Sequence, residues 1–233
     1  MDTDGFGRSV SRSPEAVLLV GFGDLSALAR DFRAAFPGLP VFTARSAAEG
    51  LGRLSAARVF VQPVYLLPGA EFERLRADAL RFGGRASCGT PLLSSPEGVR
   101  ALAEILARIY TGKAVLFAGH GSRRPAGKRY ADLEHALRAA GLAGSFVGVL
   151  EGEPGFDRAA AGLAARGIRK VSLVPLMLSL GMHVRRQILG GDGSWSGKLE
   201  ALGVSVCPVF RALLDEPAVR SMLTASARPF LRS

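Results

Sequence analysis

The apolar runs of this chain come in two matching sets, and that internal repeat constrains the fold more than any other feature. AVLLVGFGD at 16–24 lines up with AVLFAGHGS at 114–122. VFVQPVYLLPGAEF at 59–72 lines up with VSLVPLMLSLGMHV at 171–184, keeping Val, Pro and Gly in register. SCGTPLLSSPEGVR at 87–100 runs loosely beside VCPVFRALLDEPAVR at 206–220, which pairs Cys88 with Cys207. A chain that repeats itself at this period is a duplicated structural unit, so both halves fold alike.

Each half carries four strand candidates, at 16–20, 40–44, 58–63 and 85–89, then at 114–118, 145–150, 170–178 and 204–208. Helical segments separate them at Leu25–Phe36, Glu71–Phe82, Pro96–Ile109, Arg129–Ala140, Phe156–Arg166 and Pro217–Ser226. Buried runs alternating with helices of this length describe parallel βα units. The expectation is an α/β protein of two similar lobes, each a four-stranded parallel sheet flanked by helices. The lobes are residues 1–110 and 111–233, divided near Thr111–Lys113.

Ligands of open α/β sheets bind outside the carboxyl ends of the strands, so two facing lobes make a cleft. The repeat identifies equivalent residues at that rim. His120 takes the place of Phe22, and His183 the place of Glu71. The second lobe therefore carries most of the expected site. His120 stands between Gly119 and Gly121, which permit a tight turn and close approach by a ligand. Glu151 ends the next strand, where a carboxylate can equally cap the following helix. His183 follows PLMLSLGM and can equally open a helix.

Two imidazoles and a carboxylate at three strand ends form a ligand set for a divalent transition metal. The same groups can accept protons near neutral pH. The third histidine, His135, falls off the apolar face made by Tyr130, Leu133, Leu137 and Ala140 and is expected in solvent.

A length of 233 residues, 48% of them apolar, is enough to bury a sizeable core. The formal charge of +10 first suggests nucleic acid, but the 30 Lys and Arg are scattered and aromatics make up only 7%. A polycarboxylate or phosphorylated small molecule suits that charge equally well. No apolar run approaches the roughly 20 residues of a membrane helix, and the first is too short for a signal peptide. A soluble cytoplasmic protein is expected, with no nucleic-acid or membrane partner; a homo-oligomer stays open.

Cys88 and Cys207 are too few for a disulfide framework, fall in different lobes and are expected as small buried hydrophobes. GFGDLS at 21–26 lacks the third glycine of a dinucleotide fingerprint and has Arg45 where an acid belongs. GGDG at 190–193 has no following Lys-Ser/Thr, so no nucleotide site is expected.

With these residues in view, the chain resembles the class II tetrapyrrole chelatases, and most of all the two-lobed anaerobic sirohydrochlorin cobalt chelatases of the CbiK family. The resemblance is carried by LLVGFGD, VQPVYLLPGAEFERL, GTPLLSSPEGV, GHGS, VGVLEGEP, PLMLSLGMHV and GDGSWSGKLEALGV, over nearly the whole length. It implies insertion of Co²⁺ into sirohydrochlorin with release of two protons, in cobalamin biosynthesis. Cobalt is then a substrate, and no nucleotide takes part.

It also implies that His120 and His183 are the active-site histidines and Glu151 the carboxylate beside them, together the catalytic and metal-holding set. Glu71, Tyr65 and Arg124 become the expected substrate contacts, Glu71 facing the cleft from the first lobe. Tyr65 stands where the family often has histidine, and Arg124 with Pro125 replaces a histidine-containing continuation of GHG. Met182 and Arg186 replace an aspartate and an asparagine around the second histidine. Arg123, Arg124, Lys128, Arg129, Arg185 and Arg186 suit a ring rimmed with carboxylates. A nickel or iron chelatase stays open, as does a non-catalytic tetrapyrrole- or metal-binding protein on the same fold.

Overall fold

A computed structural model describes residues 14–56, 58–122, 125–181 and 184–231, without the side chain of Arg185. The first half runs β1 (Ala16–Gly21), α1 (Ser26–Ala35), β2 (Val41–Ala44), α2 (Ala47–Arg53), β3 (Val59–Val64), α3 (Ala70–Arg81), β4 (Ala86–Cys88) and α4 (Pro96–Ile109). The second runs β5 (Val115–Gly121), α5 (Arg129–Ala139), β6 (Ser145–Glu151), α6 (Phe156–Ala165), β7 (Lys170–Leu176), α7 (Trp195–Ala201), β8 (Ser205–Pro208) and α8 (Pro217–Leu231). A π-helical turn at Val184–Ile188 lies between β7 and α7.

Two four-stranded parallel sheets result, as expected, and their strand orders are β2-β1-β3-β4 and β6-β5-β7-β8. Their registers repeat as well. Val17 pairs with Val41 and Phe60, and its equivalent Val115 pairs with Ser145 and Ser172. The same test corrects the cysteine alignment. Val61 pairs with Cys88, whereas its equivalent Leu173 pairs with Pro208, and Cys207 sits one place earlier beside Ser172. A slip of one residue turns a side chain to the other face of a strand. Cys88 is thus half-buried while Cys207 is exposed, against the expectation that both are buried; both are free thiols.

Alternate residues of each central strand feed different cores, because a strand buried on both faces presents apolar groups both ways. In β1, Ala16, Leu18 and Val20 pack outward on α2 and α3, while Val17 and Leu19 face a central core. In β5, Leu116 and Ala118 pack outward with α6 and α7, while Val115 and Phe117 face the same central core. The middle layer between the sheets consists of α1, α4, α5 and α8, so the boundary at 110/111 separates two sheets that share one core.

Two of those helices change sides. α4, which ends the first half, packs on α5 of the second, and α8, which ends the second half, packs on α1 and β3 of the first. Arg220 of α8 donates to Asp31 of α1 at 2.6 Å, and the rings of Phe230 and Phe60 stack with centroids 5.0 Å apart. Among the described residues no helix is long and apolar enough to cross a membrane.

Candidate functional site

The central strand β5 runs two residues past its buried stretch, and that overhang carries His120. Its flanking glycines serve packing. A Cβ on Gly119 would come within 2.6 Å of the Tyr130 ring, and one on Gly121 within 2.0 Å of the Glu151 carbonyl oxygen. Gly121 also has φ +91°, a conformation that L side chains rarely adopt. The Tyr130 ring therefore lies directly beneath this turn, where its hydroxyl accepts from the Gly121 N–H at 3.4 Å. Burial pushes that hydroxyl up to about 12 despite the hydrogen bond.

β6 ends one strand away with Glu151, the register partner of Gly121. His120 and Glu151 thus stand one register place apart at adjacent strand ends, both exposed and both lining the same crevice. Glu151 does not cap the next helix. α6 starts after Gly155, whose N–H donates to Glu153 at 2.9 Å.

The strand-end crevice is a cavity of about 420 Å³ lined by His120, Glu151, Ser122 and Tyr130 from the second half and by Tyr65, Leu66, Leu67, Gly69, Ala70 and Glu71 from the first. Four of the expected site residues, His120, Glu151, Glu71 and Tyr65, line this one space. Glu71 stands in the first turn of α3 and is about half exposed, with Arg74 3.5 Å away. Burial, reinforced by the negative charge of Glu71, pushes the Tyr65 hydroxyl up to about 12. Beside it, an adjoining cavity of about 390 Å³ reaches Phe22 and the Met177–Ser179 segment after β7. Phe22 is 52% exposed and its ring centroid is 6.0 Å from that of Tyr65.

His183, Arg124 and Met182 lie outside the described residues. Among the described residues, no group of three or more His, Cys, Asp or Glu could hold a metal ion. His120 and Glu151 supply one nitrogen and one carboxylate, a pair that needs further donors to hold a cation firmly. His135 is exposed on α5, as expected. Phe22 and Tyr130 line the site without having been expected there, Phe22 as the counterpart of His120 and Tyr130 as part of the apolar face of α5. The place of Phe22 just after β1 and of Tyr130 in the first turn of the helix after β5 was the available signal.

The sequence pattern described as "Cobalt chelatase (CbiK)" matches residues 30–228. The chain belongs to the CbiK cobalt chelatase family. Among its CbiK relatives, a sirohydrochlorin cobaltochelatase, CbiKC, of Nitratidesulfovibrio vulgaris is 32% identical over 214 residues, spanning 78% of this chain and 76% of its own. The sirohydrochlorin cobaltochelatase of Salmonella typhimurium is 30% identical over 196 residues, 81% of this chain and 74% of its own. The solved structure of SirB from Bacillus subtilis with Fe³⁺ shares the fold at a TM-score of 0.67, with 19% identity, 94% of this chain covered and 96% of that one.

Proposed function

We propose that this CbiK-family chain is a sirohydrochlorin cobaltochelatase, inserting Co²⁺ into the free-base tetrapyrrole with loss of the two pyrrole N–H protons. The observation that carries the reading is the adjacency of His120 and Glu151 at neighbouring strand ends, over a cavity that Glu71 and Tyr65 close from the other lobe. The relatives' names, sirohydrochlorin cobaltochelatase, supply the substrate class.

Insertion requires a cation to leave water for the ring nitrogens while two protons leave them. Glu151 and the imidazole of His120 give the incoming cation weak, exchangeable donors, and His183 is proposed as the third. As the metal passes to the ring, His120 takes one of the two pyrrole protons, for which an imidazole is suited near neutral pH, and solvent water takes the other. The tyrosines cannot do so. Tyr65 and Tyr130 hold their own protons to about pH 12, so they act as walls and hydrogen-bonding groups. Glu71 adds negative charge across the cavity, favouring both the cation and a transient imidazolium. Arg124 is proposed as a substrate contact.

The reaction draws on no nucleotide, and the proposal includes a cytoplasmic location, no nucleic-acid or membrane partner, and a possible homo-oligomeric state. The test is incubation of the purified protein with sirohydrochlorin and Co²⁺, Ni²⁺ or Fe²⁺ in turn, followed by absorbance. Faster insertion of Co²⁺ than in the protein-free control, and faster than of the other two, is expected. Preference for nickel or iron would reassign the metal. Stoichiometric retention of the ring with no insertion of any metal would make the protein a binder instead.

A further inference from the structure

His120 and Glu151 belong to two cavities at once, and the two differ in charge. In the 420 Å³ space toward the first lobe, the other ionisable side chains among the described residues are Glu71, Tyr65 and Tyr130. On the opposite side lies a cavity of about 360 Å³, where the pair is joined by Leu150, Arg186, Gln187, Gly193, Trp195 and Lys198. One side is acidic; the other is basic.

Arg186 stands on the π-helical turn and Lys198 on α7. Among the described residues neither forms a salt bridge, which sets them apart from most helical arginines of this chain. Arg53, Arg74, Arg76, Arg81 and Arg100 each have a carboxylate three or four residues away on the same helix. Lys198 instead rests its ammonium 5.5 Å from the centre of the Phe156 ring, which steadies the side chain without neutralising it. Arg186 and Lys198 leave this cavity with positive charge in excess of the Glu151 carboxylate, which disfavours a hydrated divalent cation and attracts further carboxylates. Arg186 also offers the planar fork that matches a carboxylate.

We propose that this basic cavity receives carboxylates of the tetrapyrrole rim, with Arg186 and Lys198 selecting a carboxylate-rich ring, while the metal reaches His120 and Glu151 from the Glu71 side. The inference rests on the chelatase reading, and it divides the site into an anion-binding face and a cation-binding face. Lys198, which lies within GDGSWSGKLEALGV, becomes a specificity residue.

The test is equilibrium titration of metal-free sirohydrochlorin into the wild type and the Arg186→Gln, Lys198→Gln and double variants at low salt. Lys170→Gln, at the opposite end of β7, serves as control. Both target residues are exposed, so the variants are expected to fold. Kd should rise about fivefold for each single variant and about twentyfold for the double, the scale of losing exposed charge-assisted bonds. KM for Co²⁺ should stay within about twofold, and the ring with its carboxylates esterified should bind wild type and double variant alike. Tight binding by the wild type with unchanged Kd in the double variant overturns the basic face and leaves the chelatase reading standing. A wild type that binds no sirohydrochlorin overturns both.

Discussion

Tyr65, Tyr110 and Tyr130 are all the tyrosines of the chain, and burial raises each hydroxyl above its ordinary value near 10, Tyr65 and Tyr130 to about 12. The folded state therefore keeps protons that the unfolded chain gives up. Their contribution to stability is whole below about pH 10 and is lost as pH rises from about 10 toward 12. An alkaline titration should show tyrosinate absorbance rising together with loss of helical circular dichroism. Early tyrosinate absorbance with intact dichroism would contradict the burial. At the same scale, His120→Ala should lower metal-insertion turnover by about 10², the usual effect of removing an acid–base group. His135→Ala, on an exposed face of α5, should leave it near wild type. Steady-state rates of the two variants decide the point, since equal rates would remove His120 from the chemistry.

At the scale of elements, the joint between α5 and β6 bears most directly on the site, because these elements follow and precede its two strand ends. Glu134 of α5 is 2% exposed and accepts from the Val147 N–H of β6 at 2.7 Å. Arg138 and Arg158 approach it at 2.9 and 3.1 Å. Removing the carboxylate leaves a buried N–H and two cations without their partner, so Glu134→Ala should cost about 2–3 kcal/mol, discounted because both arginines are partly exposed. Chemical denaturation measures that loss, and Glu134→Gln, which keeps an acceptor, should recover part of it. The burial of Glu134 could not be read from the sequence, since only Arg138 is local to α5 while its other partners come from the β6 backbone and from α6.

The strands were legible for the opposite reason: burial on both faces writes an uninterrupted apolar run, as in β1 and β5. α2 is not among the helical segments named from the sequence, and its seven residues hold two weak helix formers, Gly50 and Gly52. Gly50 is in fact a packing device, for a Cβ there would lie 2.6 Å from Leu18. α7, hidden behind GGDG and capped by Ser194, was missed as well, and Lys198 with it. Within the candidate site, His120 and Glu151 stood out because each ends an apolar run abruptly. The crevice they share with Glu71 and Tyr65 depends on how the lobes face each other, which no local pattern encodes.

The molecule as a whole has a central core drawn from both halves, so the lobes should not melt separately. One calorimetric transition is expected, with the fluorescence of Trp195 in the second half tracking hydrogen exchange of β1 in the first. Leu223 of α8 is fully buried in that core, and Leu223→Ala should cost about 3 kcal/mol while shifting the single transition intact. Two resolved transitions would show that the lobes are coupled only loosely.

The exchange of α4 and α8 has a consequence for how such a chain can be divided. Each half keeps its own sheet but sends its last helix to roof the other, so a polypeptide cut at Thr111–Lys113 yields two pieces, each exposing the apolar bed that its counterpart's helix covers. Neither piece is self-sufficient, yet together they hold every contact of the intact chain except one covalent link. Co-expressed, they should reassemble as a complementing pair; made alone, each should aggregate or pair with a copy of itself, helix for helix.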